Sequence, residues 1–441
     1  MKYNRSGMAV LLCLFIIPFF SSGQPIDVRK LKTIRLKQYP VKGLMWKGET
    51  TVNSNWNKIT ETPDGKIWFS GGDHWGTAGI TGPWPKSDSY ERPWGLGNTV
   101  ICYYDPKQDK VFESVELDRA SSIYSNAETP GHGKIHGNIT SDSKGNIYFA
   151  GYMGLSLYEA ESTYFPKSYA GAALCKYNPV TKDVTYLGIP VPYDASTGIA
   201  YDEKRNSLCG ITPDKAKFWR LKISTMELNR YESIARMSRL DDRVREFIMD
   251  KEGFCYFAND LGGLTKYDPD KETFTDIDIM LPGKLMDFRA SVVSSKNIFY
   301  CITTEGFIYS YDPATNKLDN YGHVLGMPDQ GCYTPNIALD EDWCRVYFIA
   351  NNHGGKVLET ALVTLTILDL KTRKFHYVGK VDGVEGCFGS KCTKDHVVYF
   401  SSFGHHFTGN GDEMEKDSKG KVVTRPYLIR YNPPPDLEPM K

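Results

Sequence analysis

One short pattern recurs along the chain and restricts what it can fold into. Seven times a polar turn leads into a run rich in aromatic and β-branched residues: PDGKIWFSG (Pro63 to Gly71), SKGNIYFAG (Ser143 to Gly151), EKRNSLCGI (Glu203 to Ile211), KEGFCYFAN (Lys251 to Asn259), SSKNIFYCI (Ser294 to Ile302), DWCRVYFIA (Asp342 to Ala350) and TKDHVVYFS (Thr393 to Ser401). The clearest copy lies within His132 to Tyr152. There Gly137 to Ser141 predicts a short strand, Asp142 to Gly145 a turn, and Asn146 to Ala150 a second strand. A further strand follows each hairpin and ends, most often, in Tyr-Asp/Asn-Pro, as at Tyr104-Asp105-Pro106, Tyr177-Asn178-Pro179, Tyr267-Asp268-Pro269, Tyr311-Asp312-Pro313 and Tyr431-Asn432-Pro433. Leu221-Lys222-Ile223 and Leu368-Asp369-Leu370 hold the same phase. After that turn comes a short edge strand, for example Val111 to Val115 and Lys317 to Tyr321.

Four strands repeated seven times predict an all-β fold, a seven-bladed β-propeller with four-stranded blades, because radial packing of small sheets leaves only short edges. Equivalent positions (Trp68, Tyr148, Leu208, Tyr256, Phe299, Tyr347, Tyr399) step by 80, 60, 48, 43, 48 and 52 residues, so the excess in the first two units must be loops. The ends of the pattern fit each other. Lys30 to Gln38 (KLKTIRLKQ) alternates like a strand ahead of the first hairpin, and the seventh unit runs out of chain after Pro433 without its fourth strand. The N-terminal strand is therefore expected to complete the last blade and close the ring, in one domain that includes Lys30 to Pro433 within residues 24–441.

Residues 1–23 read as a secretory leader: Lys2 and Arg5, an apolar run from Met8 to Phe20, then Ser21, Ser22 and Gly23. Cleavage near Gln24 would deliver a secreted or periplasmic chain with no further segment long enough to cross a membrane. Cys13 sits inside the apolar run, which disfavours a lipid anchor. With 53 basic and 53 acidic side chains there is no field to recruit a nucleic-acid backbone. Nine cysteines remain after the leader. Cys102, Cys175, Cys209, Cys255 and Cys301 occupy strand patterns as small buried groups. Cys332 with Cys344, or Cys387 with Cys392, are candidate pairs that spacing leaves open.

In a propeller, the segments leading into inner strands and the loops between second and third strands open on one face. Those two loop classes hold His74, His132, His136, His353 and His405, the aromatic residues Trp75, Trp84, Trp94 and Tyr152, Asn57 at the end of the first lead-in, and Arg245 and Arg289 at the starts of inner strands. Each has a plainer reading as a loop staple or an inter-blade bridge. A guanidinium fork near the axis also suits a carboxylate, and flat aromatic faces suit sugar rings. No His-Glu-x-x-His or Cys-x-x-Cys occurs, so no catalytic metal and no required cofactor is expected, while a structural calcium or zinc stays open. A Gly-x-Ser-x-Gly elbow and a close carboxylate pair are also missing, which lowers the serine hydrolase and ordinary glycosidase readings.

The segment HGKIH followed by a strand ending YFAGY resembles the second blade of secreted seven-bladed propeller enzymes that act on rhamnose and uronic acid polysaccharides, namely ulvan lyases, rhamnose–glucuronate lyases and the related α-L-rhamnosidases. The resemblance implies a histidine before the inner strand, matched by His132, and a second about twenty residues on, where this chain has Tyr152. It also implies a tyrosine leading into the third blade, matched by Tyr193, and arginines that hold the uronate, for which Arg245 and Arg289 are the candidates. The expected chemistry is β-elimination at a uronic acid of an acidic polysaccharide by a monomer. His132 or His136 would be the base, Tyr193 the acid, and the two arginines the charge clamp, with Tyr152, His74, Asn57, His353 and His405 as further substrate contacts. Hydrolysis of a terminal rhamnose and non-catalytic glycan binding are the alternatives.

Overall fold

The computed structural model describes residues 27–43, 45–46, 49–50, 52, 54–72, 99–121, 132–153, 169–213, 216–231, 246–326, 332–350, 363–408, 413–417, 420 and 422–437. Their β-structure is built around a ring of seven blades of four antiparallel strands, each reading outward from the axis, with one further parallel strand on blade 6 and three two-stranded ribbons. Blade 1 comprises Thr60–Glu61, Ile67–Gly71, Val100–Asp105 and Lys110–Glu116; blade 2 comprises Thr140–Ser141, Ile147–Ala150, Leu174–Tyr177 and Val184–Gly188. Blade 3 runs Gly198–Asp202, Ser207–Ile211, Phe218–Lys222 and Glu227–Tyr231; blade 4 runs Ile248–Met249, Cys255–Ala258, Leu264–Asp268 and Thr273–Ile277. Blade 5 consists of Ala290–Val293, Phe299–Ile302, Phe307–Asp312 and Lys317–His323. Blade 6 consists of Ala338–Asp340, Arg345–Ala350, Thr364–Asp369 and Lys374–Val381, and blade 7 of Val384–Cys392, Val398–His405, Thr424–Tyr431 and Lys37–Pro40.

The closure expected from the two chain ends is present, with a correction. Lys37–Pro40 pairs antiparallel with Thr424–Tyr431 and completes blade 7, in the register Lys37↔Arg430 to Pro40↔Tyr427. The rest of the expected Lys30 to Gln38 strand is divided. Val28–Lys30 is a 3-10 turn, and Thr33–Ile34 adds in parallel to the outer strand of blade 6. The alternation read as one strand therefore serves two sheets, fastening the terminus to both.

Inter-blade packing follows from period-two alternation, since the two middle strands of a blade face a neighbour on each side. Second strands such as Ile67–Gly71 and Ser207–Ile211 are buried throughout, while outer strands such as Thr273–Ile277 alternate toward solvent. One core cluster joins Cys209, Ile211 and Phe218 of blade 3 to Cys255, Phe257 and Tyr267 of blade 4. Another joins Tyr39, Tyr399 and Leu428 of blade 7 to Ile67, Phe69 and Cys102 of blade 1. The five strand cysteines are buried as expected, and all nine described cysteines are unbridged, the candidate pairs included.

The lower face, where first strands turn into second strands, is held by one device used repeatedly. Asp142 accepts the backbone N–H groups of Lys144 and Asn146 at 3.0 and 2.8 Å and the Tyr148 hydroxyl at 3.1 Å. Asp250 does the same for Glu252, Phe254 and Tyr256 at 2.9, 2.9 and 3.2 Å. An aspartate turn suits this sequence because the short carboxylate reaches backbone donors two and four residues on. Gly145 and Gly253 supply the positive φ, 81° and 86°. Neighbouring turns are then tied together. Glu203 accepts from the Ser143 N–H and hydroxyl, and Glu341 from those of Ser295.

Candidate functional site

The upper face is built from the lead-ins to the inner strands, and their side chains converge near the axis. The His132–Lys134 strand pairs with Tyr152–Met153, with Lys134 opposite Tyr152 and His132 opposite Met153, so the end of the blade 2 hairpin folds back over the approach to its own inner strand. The blade 1 lead-in is fixed beside it by the Lys58 N–H, which donates to the Gly137 carbonyl at 3.0 Å. These two contacts bring Trp56, Lys134, His136 and Tyr152 together. The Lys134 ammonium lies 4.7 Å from the Trp56 ring centroid and 4.7 Å from that of Tyr152. His136 stacks on Trp56 at 5.8 Å and leans on Tyr152 at 5.0 Å. Trp56 continues into Phe388 and Phe403, and Phe388 meets Tyr333 edge-on at 6.3 Å. Arg289 completes the group: its Nε donates to the Tyr333 hydroxyl at 2.7 Å and its guanidinium carbon lies 4.9 Å from that ring's centroid.

Arg289 is only 5 % exposed. Among the described residues no carboxylate lies within ion-pair distance of it, although burying a cation is costly unless a partner neutralises it. The contrast with Lys58 is direct, because Lys58 reaches Glu246 across the axis. Burial pulls the Lys58 ammonium below the usual lysine range, opposed by the Glu246 carboxylate, and Arg289 adds a smaller push in the direction of burial. Asn55, beside Trp56, is also buried, and its side-chain Nδ2 makes no hydrogen bond among the described residues. Beneath the cluster lies an axial cavity of ≈ 240 Å³, lined by residues of the inner strands or of the lead-ins to them in all seven blades.

The expected site residues divide into three groups. His136, Tyr152 and Arg289 belong to the cluster. His132 is fully buried against the second and third strands of blade 2, where its Nε2 accepts the Ala173 N–H at 3.1 Å and its ring abuts Gly151, at which a Cβ would come within 2.0 Å of the imidazole. Asn57 is a buried staple, its Oδ1 accepting from the Ser70 N–H and hydroxyl at 3.2 and 3.1 Å. Tyr193 is 53 % exposed at φ 61°, with its N–H on the Ala170 carbonyl at 3.1 Å. His405 contacts Glu385 at 3.2 Å, with side chains 39 % and 45 % exposed. His74, Arg245 and His353, and with them Trp75, Trp84 and Trp94, lie outside the described residues, as does the expected leader.

The structure adds Trp56, Lys134, Tyr333, Lys58 and Glu246, which the sequence reading did not select. A signal existed for Lys134, which sits between the two histidines of HGKIH, and for Tyr333 and Glu246, which lie at the ends of lead-ins. Among the described residues no group of three or more His, Cys, Asp or Glu side chains is placed to hold a metal ion, and no helix is long and apolar enough to cross a membrane.

No family model matches the sequence, and no curated protein matches it. Solved structures do. Streptogramin B lyase is similar over 90 % of this chain and 97 % of its own, with a TM-score of 0.55 at 11 % identity. The WD40 repeats of RRP9 align over 90 % of this chain and 99 % of theirs, with a TM-score of 0.51 at 10 % identity. An extracellular domain described as that of a hybrid two component system from B. thetaiotaomicron covers 89 % of this chain, which spans 42 % of that one, with a TM-score of 0.50 at 14 % identity. At such identities the likeness establishes the fold, a propeller shared by a lyase, an extracellular domain and a WD40 protein, and fold does not specify function.

Proposed function

We propose that the upper face binds a uronate-bearing glycan and cleaves it by β-elimination. The observation that carries the reading is Arg289, a buried guanidinium held by Tyr333 with no ion-paired carboxylate among the described residues, only the charge of the buried Asp287 two residues back, beside a wall of aromatic rings. A sugar carboxylate supplies an ion-pairing anion for this guanidinium. Neutralising that carboxylate lowers the cost of the carbanion-like state formed when H5 is removed. His136 takes the proton, and Tyr152, 5.0 Å away between ring centroids, protonates the departing O4. His132, its Nε2 engaged by backbone, supports the hairpin that carries both groups. Lys134 adds positive charge to the same wall.

The same reading takes residues 1–23 as a leader removed on export, so mass spectrometry of the exported chain should find it beginning near Gln24. Incubation with ulvan and with rhamnose–glucuronate glycans tests the activity. Elimination leaves an unsaturated uronate that absorbs in the ultraviolet, and the rate at which the signal grows should fall steeply in Arg289→Ala. Binding without turnover is the second reading, favoured by the position of His132, whose imidazole is sealed from ligand. Calorimetric binding of the same glycans with neither absorbance nor sugar release would select it.

A further inference from the structure

The pair formed by Lys58 and Glu246 lies below the aromatic wall, and its geometry gives it a different task. Lys58 comes from the blade 1 lead-in and Glu246 from that of blade 4. Ser291, on the inner strand of blade 5, donates its hydroxyl to the same Glu246 oxygen at 3.0 Å. One carboxylate therefore joins three blades around the axis. Lys58 follows Trp56 by two residues and Ser291 follows Arg289 by two, so the shared carboxylate lies beneath both the aromatic wall and the guanidinium. The ≈ 240 Å³ cavity leaves the axis hollow at this level, and the inner strands do not pack directly against one another across it. Side chains that span the opening set how far apart its walls stand.

Stability alone does not explain such a pair. Its side chains are 18 % and 4 % exposed, and apolar residues of similar size often serve a buried site as well as an ion pair does. Directional bonds do something apolar contact does not: they fix distance and angle. We infer that Glu246 is a positioning residue, which fixes where Arg289 stands relative to the wall built on Trp56 and so where a uronate carboxylate is met. This inference rests on the carboxylate reading of Arg289. Its consequence is that ligand affinity and fold stability separate on mutation.

The test uses the full chain and D-glucuronate as probe, with affinity from calorimetry and stability from the thermal midpoint. Wild type should bind and Arg289→Ala should not. Lys58→Met/Glu246→Leu, which replaces both charges with apolar groups, should keep a thermal midpoint near wild type yet bind more weakly, with a loss of up to about 10²-fold, taking the rate cost of a ~1 Å misplacement as the ceiling. Ser291→Ala removes only the link to blade 5 without changing charge and should weaken binding with little change in midpoint, so the inference remains testable if the double variant fails to fold. Affinity equal to wild type in Ser291→Ala and in a folded double variant overturns the positioning role while leaving the carboxylate reading intact. Absence of glucuronate binding to wild type overturns the carboxylate reading and this inference with it.

Discussion

The two faces of the ring solve the same problem in opposite ways. On the lower face acidic side chains meet their donors within a few residues or one blade away: Asp142 and Asp250 organise their own turns, Glu203 and Glu341 clasp the preceding blade, and Arg205 is bracketed by Asp202 and Asp270. On the upper face Arg289 and Lys134 lie against aromatic rings, and Arg289 has no ion-paired acid among the described residues. A face whose charges are matched holds a fold together. A face with a buried cation that makes no ion pair among the described residues suits an anion that arrives from outside.

Five experiments can break or sharpen this contrast. The largest effect is expected at the seam that closes the ring. Deleting residues 27–40 removes the fourth strand of blade 7 and Tyr39 from the core cluster it shares with blade 1, so the truncated chain should lose its cooperative unfolding transition. A melt matching that of the longer chain would show that the ring closes without this strand.

On the upper face, Arg289→Ala should cost about 2–4 kcal/mol of transition-state stabilisation on a uronate substrate, the scale seen when one charge-stabilising donor is lost. His136→Ala should lower kcat by about 10²- to 10⁴-fold with little change in substrate affinity. Equal losses from Asp142→Ala would erase the division between faces. That lower-face variant instead leaves the Asn146 N–H and the Tyr148 hydroxyl without their acceptor and should cost about 1–3 kcal/mol of stability, with substrate affinity unchanged, as read by chemical denaturation and calorimetry.

The smallest effect is a pH dependence. The Lys37 ammonium first, then the Tyr39 and Tyr104 hydroxyls, hold the Asp109 carboxyl well below its ordinary 3.8. A carboxyl depressed in the folded state contributes stability that is fully present above its unfolded value and declines as pH falls toward the folded one. The contribution should therefore be intact at neutral pH and decline below about pH 4, and Asp109→Asn should flatten that slope. Because Lys37 and Asp109 are 58 % and 45 % exposed, added salt should shrink the effect.

The blades themselves were readable in the linear chain because each is a local object. The turn at Asp142 to Gly145 needs only an aspartate, a glycine and two alternating flanks, and the same grammar recurs at Asp250 to Gly253. Even the ring closure was visible, since a missing strand at one end and an orphan strand at the other are complementary defects. The division of that N-terminal strand was not readable, because Thr33–Ile34 is held by blade 6, more than 300 residues away, and nothing in its alternation names that partner.

What the sequence determined by itself about the site was position along each blade: lead-ins and second-to-third loops face one way, which brought His136, Tyr152 and Arg289 into consideration. Tertiary structure alone decided which of those positions meet. Trp56, Lys134, Glu246, Arg289 and Tyr333 come from blades 1, 2, 4, 5 and 6, and they become neighbours only when the ring closes around its axis. It also separated two histidines four residues apart, sealing His132 against Gly151 and leaving His136 stacked on Trp56. The physical reason is range: turn and strand preferences act over a few residues, whereas the burial and pairing of a charge depend on every blade that surrounds it.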